Sequence, residues 1–201
     1  GLDEGPTLFV SAAVHGDEII GVEIVRRLAK TRSLKHIAGT LILIPVVNTY
    51  GFISLTRYLP DRRDLNRCFP GQANGSLASQ LAHTFMTEIV ARSDYGIDLH
   101  SGAVHRANFP QIRANLDDEQ VLGLATAFGA PVMMNSNLRD GSLRQAAQDV
   151  GCPTLLYEAS EALRFDELGV RIGVEGVLGV MRKIEMLDDA AIKPAATPVR
   201  S

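Results

Sequence analysis

Cysteine is scarce in this 201-residue chain: Cys68 and Cys152 stand far apart and outside any CxxC pattern. Two cysteines cannot define a disulfide framework, so a small disulfide-stapled secreted scaffold is excluded. Both are expected as buried small hydrophobes rather than ligands, in keeping with a reducing cytoplasm. No uninterrupted apolar run approaches the ~18 residues of a membrane-spanning helix. A basic block is missing too: the formal net charge is −3, with both signs interspersed. Non-specific nucleic-acid binding therefore has no electrostatic footprint here. Nothing near Gly1 resembles a signal peptide, and the absence of an initial methionine makes us expect a piece of a longer, cytoplasmic protein. Tryptophan is absent, which excludes nothing, and there is no internal repeat.

What is present is ordinary for a globular domain: 46% apolar and 21% charged residues. Leu8–Val14 is a continuous apolar run after Gly5-Pro6 and predicts a buried strand. Helical spacing follows over Glu18–Lys30, where Ile20, Ile24, Val25 and Leu28 share a face. Thr40–Val47 predicts a second buried strand. Ser76–Arg92 predicts a long helix with Leu77, Leu81, Phe85, Ile89 and Val90 towards the core. Further strands are expected at Tyr95–Leu99, Pro131–Asn135 and Thr154–Glu158. Further helices are expected at Glu119–Phe128, Ser142–Val150 and Phe165–Met186. Apolar strands separated by helices predict an α/β fold, with a mixed, mainly parallel sheet and helices on both faces. The stretch Asn48–Gly75 is irregular and dense in arginine, and a loop that long inside a domain is usually functional or disordered. Residues 188–201, rich in Ala and Pro, are expected as a linker or the start of a further domain beyond the domain at 1–187.

Three polar clusters fall at predicted strand ends, the edge where open α/β sheets bind ligands. They are Val14-His15-Gly16-Asp17-Glu18, Asp98-Leu99-His100-Ser101-Gly102 and Tyr157-Glu158-Ala159-Ser160. His15 and Glu18 are three residues apart, so a turn entering a helix brings them to one side. His100 from a neighbouring strand adds a third ligand. Two histidines and a glutamate leave a fourth position for water, the catalytic zinc arrangement. Asp98 is a plausible outer partner for His100. The bland alternative for the first cluster is a helix start whose acidic residues favour the helix dipole. Glu158 is a candidate base at a strand end, with a solvated glutamate as the alternative. His36, His83 and His105 lack partners at ligand spacing and are expected at the surface.

HGDE, DLNR-x-FPG, DLHSG and a strand-end YEAS occur in that order. Together, over roughly residues 5–185, they resemble the succinylglutamate desuccinylase/aspartoacylase family, part of the wider zinc carboxypeptidase-like group. The resemblance implies a zinc amidase acting on an N-acyl amino acid, with a β-rich domain after the catalytic one. It implies one zinc ion per chain on His15, Glu18 and His100, and Glu158 as general base. It implies Asn66 and Arg67 as binders of the substrate carboxylate, where a guanidinium fork suits two oxygens. Arg57 resembles the arginine that polarises the scissile carbonyl, and Arg63 is its rival because the spacing to DLNR is two residues longer than in well-known members. Members specific for acidic substrates carry an arginine some ten residues before the base. Gln148 stands there, with Arg144 one helical turn earlier, so poor activity on N-acetylaspartate and N-succinylglutamate is expected. Arg106, Asn108 and Arg113 either line the pocket or lie exposed on a loop and strand edge. A small-molecule substrate is expected, and a homo-oligomer is compatible. The alternatives are a carboxypeptidase-type zinc peptidase and a non-catalytic zinc-binding module. Retention of Glu158 beside all three ligands argues against the second.

Overall fold

The computed structural model describes residues 3–188 and 199–200. Its strands are β1 (Asp3–Ala12), β2 (Ala38–Ile44), β3 (Tyr95–Gly102), β4 (Asn108–Ala114), β5 (Val132–Asn135), β6 (Thr154–Glu161) and β7 (Val199–Arg200). Its helices are α1 (Ile20–Leu28), α2 (Thr49–Ile53), α3 (Leu77–Glu88), α4 (Glu119–Phe128), α5 (Leu143–Asp149) and α6 (Glu167–Lys183). The strands form one sheet in the order β2-β1-β3-β6-β4-β5-β7. Every neighbouring pair is parallel except β4 with β6. Two parallel blocks of opposite direction therefore meet at the β6–β4 boundary, giving the mixed, mainly parallel sheet of an α/β fold.

Side chains alternate across each strand, so each strand serves two cores. Leu8, Val10, Ile97, Leu99, Leu155 and Tyr157 face one side, beneath α1, α4 and α6. Phe9 faces the other side, with Phe85 of α3 and Ala146 of α5. Phe9 and Phe85 meet edge to face at 5.7 Å. Burying each such large side chain contributes about 1.5–3 kcal/mol. The Tyr157 hydroxyl donates to the Gly169 carbonyl at 2.7 Å, so even this buried phenol is satisfied and ties β6 to α6. Among the described residues no helix is long and apolar enough to cross a membrane.

Four expectations need correcting. β4 was not expected as a strand; Asn108, Pro110, Gln111 and Arg113 mask its pattern, although it sits inside the sheet between β6 and β5. Pro110 lies in the register gap between Asn108 and Gln111, an irregularity that tolerates a residue without an N–H. The helix expected to Arg92 ends at Glu88, and a 3-10 turn carries Val90. Its buried face is Ala78, Ala82, Phe85 and Met86, while Leu77 and Leu81 flank it, because small residues let α3 lie close to the sheet. β3 runs on to Gly102, placing His100 inside the strand rather than after it. Of the expected linker at 188–201, Asp188 and the backbone of β7, parallel to β5, are described; the rest lies outside the described residues.

Candidate metal and active site

β1 loses its apolar character at its end, and the chain turns. Ala13 takes a left-handed conformation, with φ of 50°. The Glu18 N–H then donates to the His15 carbonyl at 3.1 Å, closing the turn that brings the two side chains together. Gly16 is required here: a Cβ on it would lie 1.9 Å from the Gly51 carbonyl carbon of α2. His15 and Glu18 are only 3% and 2% exposed. His15 Nδ1 lies 2.7 Å from Glu18 Oε1, and His100 Nδ1 lies 2.7 Å from Glu18 Oε2. The Ser101 N–H also donates to Glu18 Oε2, at 3.2 Å. One ligand atom from each of the three residues lies within 4.8 Å of the other two.

A carboxylate stands behind each imidazole. His15 Nε2 is 3.1 Å from Asp64 Oδ1, and His100 Nε2 is 2.6 Å from Asp98 Oδ2. Asp98 is held in turn by the Ser11 hydroxyl, which donates to its other oxygen at 2.8 Å from the register-paired position on β1. Asp64 accepts from Arg57 Nε and Nη2 at 3.1 and 3.0 Å, and from the Asn66 N–H at 2.9 Å. Such outer carboxylates orient metal-bound histidines and set their tautomer. With the Nε2 protons directed at Asp64 and Asp98, both Nδ1 lone pairs and the Glu18 carboxylate face one another. Buried negative and lone-pair density of this kind calls for a cation at its centre.

The titration behaviour points the same way. Burial is the largest influence on His15 and opposes its charging, but Glu18 and Asp64 outweigh it and raise its pKa. His100 follows the same balance, burial against Asp98 and Glu18, and ends well above its ordinary value. For Glu18, burial alone would raise the pKa, yet the two imidazoles hold it far below the carboxylate range. The donor set is two imidazole nitrogens and a carboxylate, both ring planes fixed from behind. It fits a zinc ion with an open fourth position.

Glu158 sits on β6 as the register partner of His100, so both side chains leave the same face of the sheet. Asn108 Nδ2 and Arg113 Nη2, the latter at 3.3 Å, both contact its Oε2. These β4 residues reach it because β4 runs antiparallel beside β6. Gly102 helps to close this corner, since a Cβ there would lie 1.9 Å from the Arg106 carbonyl oxygen.

A cleft of about 300 Å³ joins the three ligands, Glu158, Arg57, Asn66, Arg67, Arg106 and Arg113. The segment Asn48–Gly75 is ordered, with α2 and a 3-10 turn at Leu65–Arg67. Arg57 reaches the site directly, with Nη1 3.1 Å from Glu18 Oε1. The Asn66 Oδ1 accepts from the Leu143 N–H at 2.9 Å, which turns its Nδ2 hydrogens towards other partners. Arg63 does not line the cleft: its side chain is 60% exposed, and the carboxylate beside it is Asp61, at 4.0 Å. Gln148 is also outside the cleft lining, whereas Arg144 of the same helix is part of it. His36 and His105 are exposed and His83 is partly so. Sequence reasoning assigned no role to Asp64; its position at the head of DLNR, in the same turn as Asn66, was the available signal.

Comparison with known proteins places this geometry. The profile of the succinylglutamate desuccinylase/aspartoacylase catalytic domain matches residues 4–184. Over 134 residues the chain is 35% identical to the N-alpha-acetyl-L-2,4-diaminobutyric acid deacetylase of Halomonas elongata, a match covering 64% of this chain and 39% of that protein. A succinylglutamate desuccinylase/aspartoacylase structure from Rhodobacter sphaeroides superposes with a TM-score of 0.84 at 29% identity, covering 98% of this chain and 62% of that one. The product-bound ectoine utilization protein EutE (DoeB) from Ruegeria pomeroyi superposes with a TM-score of 0.87 at 25% identity, with the same coverages of 98% and 62%. The chain thus spans less than two thirds of the length of these relatives.

Proposed function

The chain belongs to the succinylglutamate desuccinylase/aspartoacylase family, and from that premise we propose that it is the catalytic domain of a zinc-dependent amidohydrolase that deacylates a small N-acyl amino acid. The observation that carries this reading is the convergence of His15, Glu18 and His100 beside a register-paired Glu158. His15 Nδ1, Glu18 and His100 Nδ1 would hold one zinc ion, with Asp64 and Asp98 fixing the rings. When bound, zinc supplies Lewis acidity, which polarises a carbonyl and acidifies water.

The protein's own groups do the rest. Glu158 takes the proton of the attacking water and returns it to the departing nitrogen, so one carboxylate serves as base and then acid. Contacts from Asn108 and Arg113 to Oε2 leave Oε1 for that exchange. Arg57 places a guanidinium next to Glu18, where it stabilises charge developing on the carbonyl oxygen. We give this role to Arg57 and not Arg63, because Arg63 faces Asp61 outside the cleft. Arg67 and the Nδ2 of Asn66 bind the substrate carboxylate, a planar fork meeting two oxygens. Arg106, exposed at the cleft wall, adds positive charge to the approach.

Glu158→Gln tests the reading in the full-length protein. The side chain keeps its shape and loses its proton acceptor. Zinc content and product affinity should stay as in the wild type, while kcat on N-acyl amino acids falls by ~10²–10⁴. Turnover within a few-fold of wild type would remove Glu158 from the mechanism.

A further inference from the structure

Arg57 is carried by a segment that contributes no other group to the metal centre. The chain leaves β2, runs beside the end of β1 and enters α2 at Asn48. On the way the Val47 N–H donates to the Ala12 carbonyl at 3.0 Å, and the Asn48 N–H donates to the Ala13 carbonyl at 2.9 Å. Asn48 is thereby tied to the residue that opens the turn carrying His15 and Glu18.

Asn48 is fully buried, at 0% exposure, and its polar groups are all partnered. Its carbonyl accepts from the Phe52 N–H at 2.9 Å. Its Oδ1 accepts from the Gly51 N–H at 2.8 Å and so caps α2. A backbone N–H only donates, so the side-chain oxygen must face Gly51, and Nδ2 is directed elsewhere. That Nδ2 donates to the Arg57 carbonyl at 3.4 Å. The loop between folds back to make this contact, with the Thr56 N–H donating to the Gly51 carbonyl at 2.9 Å. One buried amide thus holds the start of α2 with its oxygen and the backbone of Arg57 with its nitrogen.

From that backbone the Arg57 side chain extends to Glu18 Oε1 at 3.1 Å, and to Asp64 Oδ2 at 3.1 and 3.0 Å. The contacts close a circuit from Ala13 through Asn48, Arg57 and Glu18, and back along the chain to Ala13. A long side chain can reach a carboxylate from many backbone positions, and a fixed carbonyl narrows them to one. Capping needs only an acceptor, which Asp and Ser supply as well as Asn. The donor half of the amide is surplus to capping, and that half meets Arg57.

We infer that Asn48 is a positioning residue for Arg57: its amide nitrogen fixes where the guanidinium stands beside Glu18. The inference rests on the reading of Arg57 as the cation that polarises the scissile carbonyl. Misplacing such a group by about 1 Å costs up to ~10²-fold in rate.

The test compares Asn48→Asp and Asn48→Ser in the full-length, zinc-loaded protein. Both variants keep an acceptor for the cap and lose the donor to Arg57. The expected result in both is kcat on N-acyl amino acids lower by ~10-fold or more, with KM within about threefold and zinc content unchanged. In an Arg57→Ala background there is no cation left to position, so adding Asn48→Ser should cost less than about twofold. A full multiplicative loss in that background overturns the inference. So does kcat within about twofold of wild type in both single variants, which is the outcome of a capping role alone. A second measurement is independent of activity. In protein labelled with 15N at arginine, the Arg57 Nε–H resonance is identified by its loss in Arg57→Ala. Its exchange with water should be at least ~10-fold faster in Asn48→Ser than in wild type, with far-UV circular dichroism unchanged. Faster exchange supports the positioning role even if no amide is cleaved, and an unchanged exchange rate overturns it even where the deacylase reading stands.

Discussion

The two halves of the cleft are built on different principles. In the metal half, His15, Glu18, His100, Asp64 and Asp98 partner one another and Arg57 at 2.6–3.1 Å. Four of those groups, His15, Glu18, Asp98 and His100, leave β3 or the turn that follows β1, so the sheet holds them. In the substrate half, Arg67, Arg106, Arg139 and Arg144 come from a 3-10 turn, from loops and from α5, and have no carboxylate partner among the described residues. On the proposed reading the first half closes around a cation, and the second receives the substrate carboxylate. A site that is pre-organised for chemistry and electrostatically open for binding follows from that division.

The comparison breaks most sharply at the ligands. His15→Ala combined with His100→Ala should leave no zinc at one equivalent, and activity should vanish with it. Metal analysis of the purified variant checks this, and retention of one zinc per chain would mean that other residues bind it. The next effect is smaller. Asp98→Asn keeps the size of the side chain but removes the charge behind His100, so zinc affinity should fall ~10–100-fold while the fold stays intact. Competition with a chelator, read beside far-UV circular dichroism, separates the two; unchanged affinity would reduce Asp98 to a packing role.

The smallest effects lie in the substrate half. Arg67→Lys preserves charge and loses the fork, and should weaken substrate binding by about 1–3 kcal/mol with zinc unaffected. Arg63→Ala, outside the cleft, should stay within about twofold of wild type in kcat/KM, since a surface pair such as Arg63–Asp61 contributes little. If Arg63→Ala instead lowers kcat while Arg57→Ala does not, the assignment of the carbonyl-polarising cation is reversed.

The metal half was the legible one. His15 and Glu18 are coupled by a three-residue spacing that any chain entering a helix would satisfy. His100 and Glu158 sit on apolar runs whose burial could be read from composition. The substrate half was legible only as a set of arginines. Choosing between Arg57 and Arg63, or between Arg144 and residue 148, required knowing how a 28-residue stretch (48–75) and a 7-residue helix lie against the sheet. β4 was missed because Asn108 and Arg113 line the cleft, Gln111 is a buried polar residue and Pro110 sits in a register irregularity, so neither alternation nor an apolar run marks it.

The sequence by itself determined the α/β class and the order of the motifs, and with them the candidate ligands His15, Glu18 and His100 and the candidate base Glu158, because these depend on local spacing and on strand burial. Only the tertiary structure decided that Asp64 stands behind His15, that β4 brings Asn108 and Arg113 onto Glu158, and that Arg144 enters the cleft. The contacts of Asp64 with His15 and of Asn108 with Glu158 join residues 49 and 50 positions apart, and local periodicity carries no information about which faces will meet when such segments pack.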